Sequence, residues 1–108
     1  MTSYNKLNGV YTSNNYDLCI SLLRGEWNYQ GLVMTDWTAT GDKKAKHKLC
    51  HKTGNDLIEP GGKTVRKEML KAYKKEEIDM NLIKVSAANI LNLIFESNVH
   101  EIKGRNHK

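Results

Sequence analysis

The chain has 108 residues, a formal net charge of +5 at pH 7 and 39% hydrophobic residues. This length suits one small domain or a piece of a larger one, and apolar residues in periodic blocks exclude a disordered chain. Two cysteines exclude a disulfide framework. Without a signal-peptide pattern or an apolar run near 18 residues, we expect a soluble protein, cytoplasmic if the chain is complete.

The amino-terminal part of the chain predicts two strands with a helix between them. Residues 1–5 (MTSYN) predict a short strand, and Asn8 followed by Gly9 is a strong turn dipeptide in the connection after it. Residues 16–27 predict a helix, because their leucines recur at three- and four-residue steps. Residues 32–36 (LVMTD) form a continuous apolar run, which is typical of a strand covered on both faces.

The next part of the chain predicts two more helices around a brief strand. A short helix is expected over residues 42–52, and a strand with Leu57 and Ile58 as its core follows. Thr64 is the expected cap of a helix that runs over residues 65–75.

Strong start signals precede the last predicted helix. Asp79 is the expected N-cap, and Ile78 and Ile83 are spaced for a hydrophobic staple. The expected apolar stripe comprises Ile83, Ala87, Ile90 and Ile94, flanked by Leu82, Val85 and Leu93. Residues 97–108 are expected to be a polar, disordered tail.

The alternation of strands and helices indicates an α/β fold with about three short parallel strands, ending in a helical pair. Three such strands need cover on both faces, and both sheet edges stay open. The pattern therefore indicates that further strands are missing from this chain. Self-association through the open edges is one alternative.

A basic stretch lies between Lys43 and Lys75, where lysine and arginine greatly outnumber acidic residues. Such a stretch binds polyanions in some proteins, but it is more often a solvated helix face. No aromatic residues interleave with the lysines and no nucleic-acid motif is present. We therefore expect a solvated face here and no nucleic acid partner.

The two cysteines carry no sign of a metal site. Cys19 falls in the pattern of the first helix and is expected to pack as a small hydrophobe. His47, Cys50 and His51 cluster in HKLCH, but no second pair of ligands stands at a fitting distance. We therefore expect neither a metal nor a cofactor.

Asp36 is the residue with the strongest functional signal, because it stands where the apolar run ends and a polar loop begins. A carboxylate at this place is either a helix cap or a group exposed at the end of a buried strand. Trp37 follows it directly and offers an apolar face on which a sugar ring stacks. Strand context alone leaves both interpretations open.

Four segments in series resemble glycoside hydrolase family 3, the family of the β-glucosidases. They are MTSYNKLNGVYTSNN, LLRGEWNYQGLVMTDW, TGNDLIEPGG and EIDMNLIKVSAANILNLI. The resemblance covers residues 1–96. It implies the last part of a (β/α)8 barrel, in which the three predicted strands would be the sixth, seventh and eighth. Catalytic residues of such barrels lie at the carboxyl ends of the strands.

The resemblance also implies roles for individual residues. Asp36 matches the catalytic nucleophile of the family, Tyr4 matches a tyrosine that lies close to the nucleophile, and Met1 corresponds to a residue that lines the same pocket. Trp37 is expected to stack on the sugar ring there. Thr35, Tyr4 and the backbone at the start of the loop are the expected hydrogen-bond donors that keep Asp36 ionised. Asp56 is expected to be structural, and Glu59 to lie at the same end of the barrel as Asp36.

No segment resembles the earlier barrel strands, which bind the terminal sugar in this family, or the general acid. The resemblance therefore implies a fragment of a retaining β-glycosidase that acts on terminal β-glucosides. Its partners would be the missing barrel strands and a C-terminal α/β sandwich domain. We expect the isolated chain to be inactive. The alternative is a stand-alone binding or assembly module without activity, including polyanion binding through Lys43 to Lys75.

Overall fold

The computed structural model describes residues 1–98. Its elements are two short strands, a 3-10 turn, a π-helix and three α-helices. In chain order they are β1 (Lys6–Leu7), β2 (Val10–Tyr11), the 3-10 turn (Thr12–Asn14), the π-helix (Asp17–Glu26), α1 (His47–Cys50), α2 (Lys63–Lys74) and α3 (Met80–Glu96).

A hairpin that was not predicted stands near the amino terminus. β1 and β2 pair antiparallel, with Leu7 opposite Val10. The turn between them uses Asn8 and Gly9 with φ of +50° and +79°. Positive φ at both central residues is the geometry that matches the right-handed twist of a two-residue hairpin. The predicted turn is therefore confirmed, and the strands on either side of it were missed.

The first two predicted strands lie side by side but pair over only a few residues. The Thr2 N–H donates to the Met34 carbonyl at 2.9 Å, and the Asp36 N–H donates to the Thr2 carbonyl at 3.1 Å. One residue bonded to positions i and i+2 of its neighbour is the parallel pattern. The short strand, or end of a strand, predicted over residues 1–5 is thus limited to the parallel bonds of Thr2.

The second and third predicted strands are joined in the same way. Leu57 donates to the Val33 carbonyl at 3.3 Å and accepts from the Thr35 N–H at 2.9 Å. Met34 and Leu57 form an isolated parallel bridge rather than continuous strands. The predicted strands around residues 32–36 and Leu57 are therefore reduced to a bridge. Residues 33–36 lie between the segment at Thr2 and the segment at Leu57. We call residues 33–36 the central segment, and the other two its Thr2 neighbour and its Leu57 neighbour.

The first helix is a π-helix, whereas the three- and four-residue steps of the sequence pattern predict an α-helix. The Trp27 N–H donates to the Leu22 carbonyl at 2.9 Å, which is the five-residue spacing of a π-helix. At the other end, the Asn15 side chain accepts from the Leu18 N–H at 3.0 Å. Cys19 is 1% exposed on the inner face, as expected.

The next two helices differ from prediction at their starts. The helix expected over residues 42–52 is confined to α1. Thr64 does not cap α2, because that helix begins at Lys63 after Gly62, whose φ is +108°. Glycine adopts this backbone conformation readily, so Gly62 takes the N-cap position and α2 begins two residues earlier than the start at residue 65 that a Thr64 cap would give.

The start of α3 is as predicted, and its buried face is so only in part. The Asp79 side chain accepts from the Asn81 N–H at 2.9 Å, which confirms the cap. The only buried residue of α3 is Ser86, whereas Ala87 and Ile94 of the predicted stripe are exposed. Leu82, Ile83 and Ile90 of the same stripe are half-buried, so the face of α3 turned toward the rest of the chain carries Ser86 together with apolar side chains.

The tail predicted to be disordered lies largely outside the described residues, which end at residue 98. Within residues 1–98, none of the helices combines the length and the apolar character needed to cross a membrane.

Candidate functional site

Asp36 stands at the carboxyl end of the central segment. Its backbone N–H is fixed by the Thr2 carbonyl, and its side chain is half-buried. The carboxylate Oδ1 accepts a hydrogen bond from the Trp37 N–H at 2.7 Å. The backbone at the start of the loop is thus one of the donors expected to hold the ionised carboxylate.

Tyr4 lies beside Asp36 and Trp37. Its hydroxyl donates to the Trp37 carbonyl at 2.6 Å. The pKa of Tyr4 is raised above 10.0, first by partial loss of water around the phenol and then by the negative charge of Asp36. The hydroxyl therefore keeps its proton, but it donates that proton to the Trp37 carbonyl and not to Asp36 as expected.

Thr35 has a different partner from the one expected. Its side chain is fully buried, and its hydroxyl oxygen accepts from the Glu59 N–H at 3.0 Å. The Glu59 carbonyl in turn accepts from the Thr38 N–H at 3.1 Å. The backbone of Glu59 therefore lies at the same end of the segments as Asp36, and Thr35 ties the two segments together.

Trp37 and Met1 are both open to solvent. The Trp37 side chain is 60% exposed and the Met1 side chain is 76% exposed. The structure joins Tyr4, Asp36 and Trp37 into one cluster through the contacts above, whereas Met1 is tied to it only as the neighbour of Thr2.

The opposite ends of the segments carry a buried polar cluster. Asp56 is 4% exposed and accepts from Arg24 at 2.8 Å, from the Val33 N–H at 3.0 Å and from Asn89 at 3.0 Å. The structural role expected for Asp56 agrees with these contacts. Arg24 and Asn89 were missed, since their positions on two separate helices carry no signal in the linear sequence.

The side chains of HKLCH are engaged separately. His47 contacts Glu68 of α2, and His51 Nδ1 lies 3.0 Å from Ser86 Oγ of α3. Burial raises the pKa of the Cys50 thiol to about 12, so it stays protonated. Within residues 1–98, no three histidine, cysteine or acidic side chains are grouped so that they could hold a metal ion.

The basic residues of α2 are exposed along most of the helix. Lys63, Arg66, Lys67, Lys71 and Lys74 all lie on its surface. Just before α3, Glu77 pairs with Lys48 at 3.0 Å.

Comparison with known proteins connects this arrangement with an enzyme family. No family model matches the chain. A β-glucosidase of Rhizobium radiobacter is 40% identical over 95 residues, which is 87% of this chain and 11% of that protein. β-Glucosidase 3B of Thermotoga neapolitana superposes with a TM-score of 0.79 at 35% identity, covering 88% of this chain and 14% of that one. The chain is a homologue of the family 3 β-glucosidases.

A third relative supports this relationship. The GH3 β-glucosidase of Bifidobacterium adolescentis superposes with a TM-score of 0.71 at 30% identity, covering 85% of this chain and 13% of that one. The chain thus spans about a tenth of the length of the curated relatives that it matches. Its relationship to these glycoside hydrolases concerns one segment of a much longer protein.

Proposed function

We propose that this chain is the nucleophile-bearing segment of a retaining β-glucosidase. The observation that carries the proposal is Asp36 at the carboxyl end of the central segment, beside an exposed indole, in a chain related to β-glucosidases. The three parallel segments fit the sixth, seventh and eighth strands of a (β/α)8 barrel. Active sites of such barrels lie at this end of the strands.

In the proposed reaction, the Asp36 carboxylate attacks the anomeric carbon of a terminal β-glucoside. The bond from that carbon to the leaving oxygen breaks, and a general acid protonates the leaving oxygen. Water then hydrolyses the covalent glycosyl ester, which restores the carboxylate and retains the configuration. Asp36 must be ionised to attack, and the Trp37 N–H donates a hydrogen bond to its Oδ1.

Tyr4 and Trp37 are proposed to bind the sugar. Tyr4 is fixed by its bond to the Trp37 carbonyl, so its ring stands beside the carboxylate in a defined position. The exposed indole of Trp37 offers a flat apolar face against which the ring carbons of a pyranose pack. Met1 is proposed to line the outer side of the same pocket.

The general acid and the remaining sugar contacts are proposed to come from polypeptide outside this chain. Retaining glycosidases place the two carboxyl groups about 5 to 5.5 Å apart, and the resemblance assigns the acid to no residue here. The 108-residue chain alone is therefore proposed to be inactive. Its partners are proposed to be the other barrel strands and an α/β sandwich domain.

A chimera tests the proposal. Residues 1–96 of this chain replace the matching segment of the Rhizobium radiobacter β-glucosidase, and hydrolysis of a chromogenic β-glucoside is measured. We expect an active chimera that loses about 10⁴-fold or more in kcat on Asp36→Asn substitution. Glu59→Gln is the matched control, because Glu59 is the neighbouring acidic residue at the same end of the segments.

Two results would contradict the proposal. One is a folded, active chimera whose kcat is unchanged by Asp36→Asn. The other is turnover by the isolated 108-residue chain that requires Asp36, which would show that the chain carries its own acid.

A further inference from the structure

A buried ion pair stands at the amino ends of the central segment and its Leu57 neighbour. Arg24 Nη2 lies 2.8 Å from Asp56 Oδ2, and the side chains are 19% and 3% exposed. Arg24 belongs to the π-helix and not to the segments themselves. A buried ion pair is costly unless its geometry is good and its remaining polar atoms are bonded, so the other contacts of the two residues decide its role.

The Arg24 guanidinium also binds the chain just before each of these segments. It donates through Nη1 to the Gly31 carbonyl at 3.1 Å and through Nη2 to the Gly54 carbonyl at 3.0 Å. Gly31 precedes Val33 by two residues, and Gly54 precedes Asp56 by two residues. One planar group with a fixed fork of donors therefore holds the starts of the two segments at a set offset from each other.

Asp56 completes this arrangement at Val33. Its Oδ2 accepts from the Val33 N–H at 3.0 Å, and its own N–H donates to the Val33 carbonyl at 2.7 Å. Both backbone polar groups of Val33 are thus bound by one residue. A slip by one residue would bring Met34 to this place and would turn the following side chains to the opposite face. Buried Thr35 and half-buried Asp36 would then exchange sides.

We propose that Arg24 and Asp56 are a positioning pair that sets the register of the central segment and thereby the place of Asp36. Val33 and Asp36 are three residues apart, about 10 Å along an extended chain. The pair acts through the backbone and does not touch the reacting groups. Its consequence for catalysis rests on the proposed role of Asp36, but its effect on register does not.

Asn89 of α3 supplies a matched control. Its side-chain amide donates to the other oxygen of the same carboxylate, Asp56 Oδ1, at 3.0 Å. Asn89→Ala removes one hydrogen bond from Asp56 while leaving both the ion pair and the Val33 contact. If Asp56 were only a general support for packing, this change and a change at Arg24 would act alike.

Nuclear magnetic resonance on the isotope-labelled 108-residue chain tests the proposal without any substrate. The variants are Asp56→Asn, Arg24→Gln and Asn89→Ala, each checked for helical content by circular dichroism. The readouts are the nuclear Overhauser contact between the Tyr4 ring and Trp37, and the hydrogen-exchange protection of the Thr35 and Asp36 amides.

We expect Asp56→Asn and Arg24→Gln to keep the helical signal while losing the contact at Tyr4 and the protection of both amides. Asn89→Ala is expected to keep the helical signal, the contact at Tyr4 and the protection of both amides. If Asp56→Asn does not fold, Arg24→Gln decides, because it leaves the carboxylate in place on Val33 and Asn89.

The proposal is overturned by a folded Arg24→Gln or Asp56→Asn variant with both readouts unchanged. Loss of helical signal in both variants also contradicts it, since the pair would then support the whole fold. Equal losses in Asn89→Ala contradict it as well. None of these results depends on glucoside hydrolysis, so failure of the proposed function is recognised separately in the chimera.

Discussion

The two ends of the parallel segments use aspartate in opposite ways. At one end, Asp36 is half-buried, receives a hydrogen bond from the Trp37 N–H and lies beside an exposed indole. At the other end, Asp56 is 4% exposed and is bonded by Arg24, Val33 and Asn89. A carboxylate with every oxygen engaged holds a structure together, whereas one with a free face is available to react.

The difference also separates the buried polar cluster from the proposed reactive end along one short stretch of chain. The buried end concentrates polar contacts among the π-helix, the central segment and α3. The open end exposes Tyr4 and Trp37, whose burial would contribute more to stability than their present positions do. We therefore expect substitutions to cost less stability the closer they lie to Asp36.

The largest expected effect is at the buried end. Asp56→Ala leaves Arg24 without its counter-charge and the Val33 N–H without its acceptor, which should lower the free energy of unfolding by about 3–5 kcal/mol. Asp36→Ala is the matched substitution and should cost about 1 kcal/mol or less. Urea denaturation followed by circular dichroism measures both. Equal costs would remove the contrast between the two ends.

An intermediate loss of stability is expected at Thr35, which lies between the two ends of the segments. Thr35→Val keeps the shape but removes the oxygen that accepts from the Glu59 N–H, which should cost about 1–3 kcal/mol. Thr64→Val on the exposed surface of α2 is the control and should change stability by about 0.5 kcal/mol or less. A Thr35 variant as stable as the Thr64 variant would show that this bond does not join the segments.

Acid should weaken the buried end. Burial lowers the pKa of His51 below 6.5, against the opposing effect of the Asp56 charge and of a hydrogen bond to the Asn55 backbone. The folded state therefore favours neutral His51, and its contribution is complete above pH 6.5 and is lost as pH falls from 6.5 toward the folded pKa.

Unfolding free energies measured between pH 5 and pH 8, in about half-unit steps, test this expectation. Subtracting the His51→Gln profile from that of the unmodified chain should leave a stability difference that declines with acid below pH 6.5. A difference that is flat, or that rises with acid, would show that His51 is not held neutral beside Ser86.

The smallest effect is expected at the open end and concerns a titration rather than stability. The pKa of Tyr4 is raised partly by the Asp36 charge, so Asp36→Asn should move it back toward 10.0. The ring carbon signals of Tyr4 report this pKa in a labelled sample. Glu59→Gln should leave it unchanged, and an equal shift in both variants would mean that Tyr4 does not sense Asp36 in particular.

The sequence predicted those elements that depend on local signals. The Asn8-Gly9 turn, the Asp79 cap and the place of Asp36 after an apolar run are all found. Such features depend on neighbours within a few residues, which are visible in the linear sequence.

Features set by tertiary contact were not predicted. The buried face of α3 centres on Ser86, because a serine there meets His51 where an apolar side chain would not. The ion pair at Arg24 joins residues 32 positions apart on different elements. The second and third predicted strands meet in a single bridge and the first forms no strand, since strand length depends on neighbouring segments that an apolar run does not reveal.

The most direct test of the account is to find which residue becomes covalently attached to the sugar. The active chimera is treated with a 2-fluoro-glucoside, whose glycosyl–enzyme ester hydrolyses slowly, and its peptides are examined by mass spectrometry. We predict a label on Asp36, absent from the Asp36→Asn variant. A label on Glu59 or on any other carboxylate would contradict the assignment of Asp36 as the nucleophile.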